Sequence, residues 1–500
     1  MNIPPPLYFT VPDRVKVKKL NQRLAPSGVV LAGNDPEPVD GTVLDSFEDA
    51  FRKAGSILVQ TGRTLNYIPG NADLIQADCP KDLFRFPESL KEGALRSLVD
   101  KLAPLRAMLP KGEVKVTFDT LRLLDDEEKT CCRLVVVTLS NDNGAWTWMK
   151  TIPMRGYDDS HTFLGKILAE HAASDMTPQA ALNLPVSSYE AKPDIALNPE
   201  DPAKKSLCTI VSTFLGVARQ NEEGVIADHD TEFLHDYRVS LRKVRSVISL
   251  FKGVFDKETD ARLKAEFGGI MRETNLLRDR DVYLLAKPDY YALVPPQTHE
   301  GLDILFALLK KERRQAHKSV CTMLGSKAYK KQIKALGALF ADPGNLVSGP
   351  MAEKPSRAFA SLLILKRYKK VCKLAGKITT STPDETIHDL RIQCKKLRYL
   401  IEAATPLFDA KAAKKLLKKL KKMQEHLGSF NDQSVQQEAL AECLEKYGAK
   451  DKKGTLLAEG IGALTAMLYQ KQLEERQLII DNLTQFYSPE TRADFDRIFA

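Results

Sequence analysis

The sequence predicts an α+β domain built on an antiparallel, barrel-like sheet, followed by an all-α bundle of two similar halves related by a pseudo-twofold axis. Three observations predict it. β-rich runs are confined to the first third of the chain, helical periodicity runs almost unbroken after Lys204, and one long motif occurs twice at a fixed offset.

From Tyr8 to about Phe163 the pattern is mixed. Val114–Phe118 and Arg133–Leu139 read as strands, Glu88–Met108 contains a helical stretch, and Asn141–Gly144 is a turn leading into a strand at Ala145–Met149. The acidic run Asp125–Glu128 lies between two strands beside Lys129, so a hairpin turn is expected there rather than a metal site. Residues 176–203, rich in Pro, Ala, Ser and Asn, read as a linker. The expected domains are residues 1–175 and 204–500, with helical halves at about 204–345 and 355–500. Loops are expected at Pro288–Pro296, Asp342–Pro350, Thr379–Pro383 and Tyr447–Lys453.

Composition excludes several classes. With 500 residues, 43% hydrophobic and 28% charged, the chain can bury ordinary cores, and no apolar run approaches the about 20 residues that span a bilayer. Eight scattered cysteines without C-x-x-C pairs, and an opening segment without a secretory pattern, lead to the expectation of reduced thiols in a cytoplasm. The net charge of +9 is uneven: residues 1–200 carry 23 Lys/Arg against 27 Asp/Glu, the remainder 51 against 38, a balance of +13. A basic half of this kind argues for a polyanion as partner.

His235–Arg245 aligns without a gap to His388–Arg398, 153 residues later, and Arg278–Val282 aligns with Asn431–Val435 at the same offset. Two matches at one offset imply a tandem duplication. On a helix turning about 100° per residue, His235, Arg238, Arg242 and Arg245 share a sector about 80° wide, with Leu234, Leu241, Val244 and Ile248 beside it. His388, Arg391, Lys395 and Arg398 repeat the stripe beside Ile387, Leu390, Cys394, Leu397 and Ile401, while Lys243 and Lys396 fall outside the sector. Neither stripe contains a carboxylate, whereas a solvated face interleaves Glu at i,i+4. Asp236 and Asp389 are expected near helix N-termini, as caps or partners of the dipole. Cations that border a core on facing helices repel and lose hydration, so an anion between them is expected; the competing reading is a structural salt-bridge network. Arginine suits phosphate because its planar fork donates two charge-assisted hydrogen bonds. Further basic runs, Lys310–Lys318, Lys366–Lys373 and Lys411–Lys422, add to the field or are solvated surface.

The duplicated helix, with Lys396–Tyr399, Glu402, Pro406–Phe408 and Leu427–Asp432 following it, resembles the CHAD family of conserved-histidine α-helical domains over about residues 200–500. The resemblance implies two four-helix halves around a basic pore or groove, inorganic polyphosphate as partner, and association with polyphosphate granules. Carried over by position, His235, Arg238, Arg242, Lys243, Arg245, His388, Arg391, Lys395, Lys396 and Arg398 are the implied contacts. Arg314, His317, Lys366, Arg367 and Lys370, from the adjoining runs, join the candidate set. Thr274–Asn275 stands where the second copy has Leu427–Gly428, so a differently shaped first-copy loop is expected.

Tyr8–Pro12, Leu44–Asp49, Phe51–Leu58 and Arg96–Arg106 give the first half a resemblance to CYTH domains, the triphosphate-tunnel barrels. That family holds metal and triphosphate with Glu-x-Glu-x-Lys on the first strand, where this chain has Pro6–Thr10, and the basic tunnel strand is reduced to the late Arg63. A degenerate, catalytically silent barrel with no metal and no cofactor is expected. The leading functional expectation is a non-catalytic, cytoplasmic polyphosphate-binding protein. One alternative is a triphosphatase-type phosphohydrolase acting through the first half; the other is a nucleic-acid-binding bundle, disfavoured because the stripes interleave almost no aromatic residue apart from Tyr399. No membrane partner is expected.

Overall fold

The computed structural model describes residues 3–34, 36–172, 176–379, 382–448, 450–486 and 488–500, apart from the side chains at 482 and 484–486. The chain folds as two units, Met1–Glu190 and Ala191–Ala500.

In the first unit, strands β1 (Tyr8–Val11), β2 (Val30–Ala32), β3 (Val39–Asp45), β4 (Ser56–Thr61), β5 (Thr64–Pro69), β6 (Ile75–Asp78), β7 (Leu109–Leu124), β8 (Thr130–Asn141) and β9 (Gly144–Pro153) form one antiparallel sheet. Its order is β1-β9-β8-β7-β3-β4-β5-β6, with β2 added against β7, and it curls into a half-barrel, in keeping with the expected fold. Helices α1 (Val17–Leu24), α2 (Ala50–Lys53), α3 (Ala94–Leu102), α4 (Asp158–His171) and α5 (Pro178–Ala181) accompany it. Alternation drives the strands: on β7, Val114, Val116, Leu121 and Leu123 are buried while Lys115 and Arg122 are exposed. Asp125–Glu128 is the expected hairpin turn, the Asp125 carboxylate accepting from the N–H groups of Glu127 at 3.1 Å and Lys129 at 2.8 Å. Residues 176–190, within the expected linker, pack on the sheet: Leu182 and Leu184 join the core around Trp146 and Trp148. Tyr189 lies on Phe47, ring centroids 4.6 Å apart.

The second unit consists of α6 (Ala203–Gln220), α7 (Glu222–Ile226), α8 (Thr231–Leu250), α9 (Lys257–Glu273), α10 (Asn275–Leu285), α11 (Lys287–Leu293), α12 (His299–Gly325), α13 (Lys327–Ala341), α14 (Ser356–Ala375), α15 (Asp384–Ala404), α16 (Ala410–Tyr447), α17 (Lys452–Phe486) and α18 (Pro489–Phe499). The duplication is written in the helix starts: 203 and 356, 231 and 384, 257 and 410, 299 and 452 are each 153 apart. Between the halves, the Ala203 N–H donates to the Lys354 carbonyl at 2.8 Å and the Ser356 N–H to the Asp201 carbonyl at 2.9 Å, the same bond with the halves exchanged. Pro202 likewise bridges to its own counterpart, Pro355. A self-reciprocal contact of this kind is what a twofold axis produces. The counterpart helices α12 and α17 approach so closely that a Cβ on Gly301 would lie 2.1 Å from the Leu456 carbonyl oxygen.

The halves differ where Thr274–Asn275 faces Leu427–Gly428. In the first, Thr274 interrupts the helix between α9 and α10; in the second, α16 runs through unbroken. Pro288 opens α11 instead of a loop, since a first-turn proline gives up no helical hydrogen bond. The loops expected at 379–383 and 447–453 include residues 380, 381 and 449, which lie outside the described residues. Among the described residues no helix is long and apolar enough to cross a membrane, and all eight cysteines are free.

Candidate functional site

The two stripe helices begin earlier than their histidines suggest. Asp230 caps α8, its carboxylate accepting from the N–H groups of Glu232 at 2.8 Å and Phe233 at 3.2 Å, and α15 starts after Pro383 with Asp384 and Glu385 in its first turn. His235 and His388 therefore sit in the second turn. This corrects the capping role expected of Asp236 and Asp389, because both lie in the second turn, beyond the first-turn amides that a cap serves.

Rotation of both helices is set by their apolar seams. Leu234, Leu241, Val244 and Ile248 on α8, and Ile387, Leu390, Cys394, Leu397 and Ile401 on α15, are at most 3% exposed. Each large apolar side chain buried this way stabilises by roughly 1.5–3 kcal/mol, which outweighs the repulsion expected between partly solvated cations beside it.

α8 and α15 pack directly on each other. Across that contact Arg242 and Lys395, which occupy equivalent positions in the two copies, act on one another, and Arg391 and Arg398 join the same field. Equivalent residues meet where the pseudo-twofold axis passes, so the stripes converge on it. Burial, then Arg391, Arg242 and Arg398, lower the Lys395 ammonium to about 8 against the opposing pull of Asp432. Arg238 is 8% exposed and donates to the Met271 carbonyl at 3.0 Å, the Asn275 amide oxygen at 2.9 Å and the Thr274 hydroxyl. Burial and the neighbouring Arg242 lower it to about 10. The Thr274 hydroxyl thus has a purpose that Leu427 in the other copy does not serve. Arg245 reaches Met271 Sδ at 3.5 Å, and a Cβ on Gly268 would lie 3.9 Å from Arg245 and 3.6 Å from Arg272, so Arg272 extends the row. Arg238 Nε, Arg278 Nη1, Arg391 Nε and Arg398 Nε are buried without a hydrogen-bond partner among the described residues.

In space the stripes are not free of acid. Asp432 of α16 accepts from Arg391 at 2.9 Å, and Glu402 stands 3.4 Å from Arg398 Nε, its own carboxyl pushed up by burial. Arg391 is nonetheless lowered, because burial outweighs Asp432. Among the described residues Arg242, Arg245 and Lys395 form no ion pair. Arg391 and Arg398 are thus tied, while Arg242 and Arg245 are not, and Lys395 has Asp432 nearby without an ion pair to it. His388 Nδ1 contacts the Asn431 side-chain oxygen, and His235 is half-buried on α8.

The other expected residues lie apart from this row. Lys243 stands 4.1 Å over the Phe214 ring, held below its usual range by burial. Lys396 is gathered with Arg367, Lys370 and Lys252, while Lys366 and Lys370 are exposed on α14. His317 is bound to the Val225 carbonyl at 2.8 Å, and Arg314 is exposed on α12. In the same run Arg313 forks onto Asp228 at 2.6 and 2.7 Å and meets Asp281 at 2.7 Å, a three-residue ion cluster that ties helices together. The run on α16 is solvated, with Lys419 on Asp494 at 3.2 Å and Lys421 on Glu425 at 3.9 Å. Reasoning from sequence missed Arg272, Arg278 and Asp432 as members of the site. The last two lie in the second repeat match, where Arg278 aligns with Asn431 and Asp279 with Asp432, and that was the available signal.

Among the described residues no group of three His, Cys, Asp or Glu is placed to hold a metal ion. Residues 209–441 match the CHAD domain family. The chain is similar to the solved CHAD domain from the plant Ricinus communis, at 24% identity over 59% of this chain and 96% of that one, with a TM-score of 0.49. It is also similar to PptA from Streptomyces chartreusis, at 14% identity over 57% of this chain and 99% of that one, with a TM-score of 0.44. No curated protein matches it. The duplicated histidine and arginine helix lies inside the family match over 209–441, so it is this segment of the second unit that is a CHAD domain.

Proposed function

We propose that the second unit binds inorganic polyphosphate, without catalysing its breakdown, in a basic groove between its two helical halves. The contact row is His235, Arg238, Arg242, Arg245, His388, Arg391, Lys395 and Arg398, with Arg272 and Arg278 extending it. The observation that carries this reading is the like-charge pairing of Arg242 and Lys395, equivalent residues of the packed helices α8 and α15, where burial weakens the ammonium beyond the opposing pull of Asp432 and, among the described residues, neither forms an ion pair. A phosphate between them returns what burial removed: an opposite charge for both and acceptors for the orphaned guanidinium donors. Successive phosphates offer non-bridging oxygens at regular spacing, which suits a row of forks better than a single anion does. Binding needs no more than this row, whereas hydrolysis also requires an activated water. The resemblance to the CHAD family supports the same partner, and a place on polyphosphate granules in the cytoplasm follows from it.

The test is removal of the central charges. Arg242→Ala combined with Lys395→Ala is expected to weaken polyphosphate binding more than roughly tenfold, about 1.4 kcal/mol, in isothermal titration, with helix content unchanged by circular dichroism. Equal affinity in that variant makes the row structural. Incubating the full chain with tripolyphosphate and Mg²⁺ or Mn²⁺ is expected to release no phosphate above background.

A further inference from the structure

The duplication makes each half a reference for the other. Phe214 and Val217 of α6 correspond, 153 residues on, to Arg367 and Lys370 of α14, and Lys243 corresponds to Lys396. In the first half the spot is closed: Phe214 is 8% and Val217 4% exposed, and the Lys243 ammonium rests over the Phe214 ring in the field of Glu402, Lys192 and Asp236. In the second half the same spot is cationic. Arg367, Lys370 and Lys396 gather there with Lys252 from the turn after α8.

Three elements hold this group. Phe251, next to Lys252, packs edge-on against Phe359 of α14 with centroids 6.0 Å apart, and Arg367 donates to the Gln393 side chain of α15. Lys252 and Lys370 are exposed, Arg367 and Lys396 half-buried, and among the described residues none of the four forms a salt bridge. The group is separate from the axis row. Arg391, Asp432, Arg242 and Arg398 act on Lys395; Arg367, Lys370, Lys252 and Asp389 act on Lys396. Consecutive residues point about 100° apart around a helix, so the two groups occupy different faces of α15.

We propose that Lys252, Arg367, Lys370 and Lys396 form a second phosphate-binding patch, which a polyphosphate chain occupies when it is long enough to reach around α15 from the axis row. The proposal rests on the reading of that row as a polyphosphate site and deepens it into a gauge of chain length. A chain held at the axis meets the patch at high effective concentration, so long chains gain affinity that short ones cannot.

The experiment uses the full chain carrying Lys252→Gln, Lys370→Gln and Lys396→Gln together. Arg367 is kept because it ties α14 to α15. Titrations with tripolyphosphate and with a long-chain polyphosphate, each at several salt concentrations, are compared with the unmodified protein. The expected result is a roughly tenfold or greater rise in the long-chain Kd with the tripolyphosphate Kd held within about twofold. The long-chain salt slope should fall by about 2, for three cations at about 0.7 each by analogy with flexible single strands. Equal loss for both ligands makes the patch part of one site, and an unmoved long-chain Kd makes it solvated surface; either overturns the proposal. Failure of the unmodified protein to bind either ligand instead overturns the axis-row reading. If the triple variant loses helix content, Lys370→Gln alone, at an exposed position, carries the same expectation with about one third of the slope change.

Discussion

Lys395 is costly to the empty protein and useful to the occupied one. Its native value of about 8 lies below the about 10.4 of an unfolded lysine, so between those pH values the unfolded chain holds a proton that the native chain has released. Stability contributed by this group is therefore present above about pH 10 and lost as pH falls through about 8. Lys395→Met is expected to raise the melting temperature near pH 7, by about 1 kcal/mol of stability, and to flatten the alkaline rise in stability seen by calorimetry. On the proposed function, polyphosphate affinity is expected to follow the opposite course, falling as pH climbs past about 8 and the ammonium discharges, which titration across that range would measure. At this scale helical spacing alone aligns the two stripes, His235 to Arg245 and His388 to Arg398, but it says nothing of Arg272 and Arg278, which come from α9 and α10. It could not reveal Asp432, which reaches Arg391 from another helix 41 residues away, although Glu402, four residues after Arg398, lay within helical reach.

Among elements, the offset of 153 residues was legible from the repeated motif and fixes the starts of four helix pairs. The break at Thr274 was legible only as a departure. Its cause is tertiary: a hydroxyl, a carbonyl and an amide are gathered under the Arg238 guanidinium, and the helix between α9 and α10 yields to supply them. Leu427–Gly428, asked for no such service, lets α16 continue. The crossing of α12 and α17 was not legible, since a glycine in a helical pattern does not announce its neighbour. Gly301→Ala is expected to cost about 1–3 kcal/mol in urea unfolding, because the added methyl meets backbone rather than a yielding side chain.

For the whole molecule, composition separated a basic half from a nearly neutral one, and the folded units follow that division, with the boundary at Glu190 and Ala191. The boundary itself escaped composition because Leu182 and Leu184, set among prolines and serines, look like linker until the sheet supplies a core to receive them. Each unit has its own buried core, so residues 191–500 alone are expected to bind polyphosphate within about threefold of the full chain and with the same salt slope, as titration of the isolated fragment would measure.

The meeting of Arg242 and Lys395 on a twofold axis bears on orientation. Along the two stripes, a guest lying across such an axis encounters cations in the same order whether it enters head first or tail first, Arg242 standing where Lys395 stands in the other copy. An inorganic phosphate chain reads identically from either end, so if the stripes hold one, as proposed, neither orientation has to be selected. A strand of nucleic acid runs from 5′ to 3′ and would satisfy one half while opposing the other. Symmetry in the host thus favours a guest without direction.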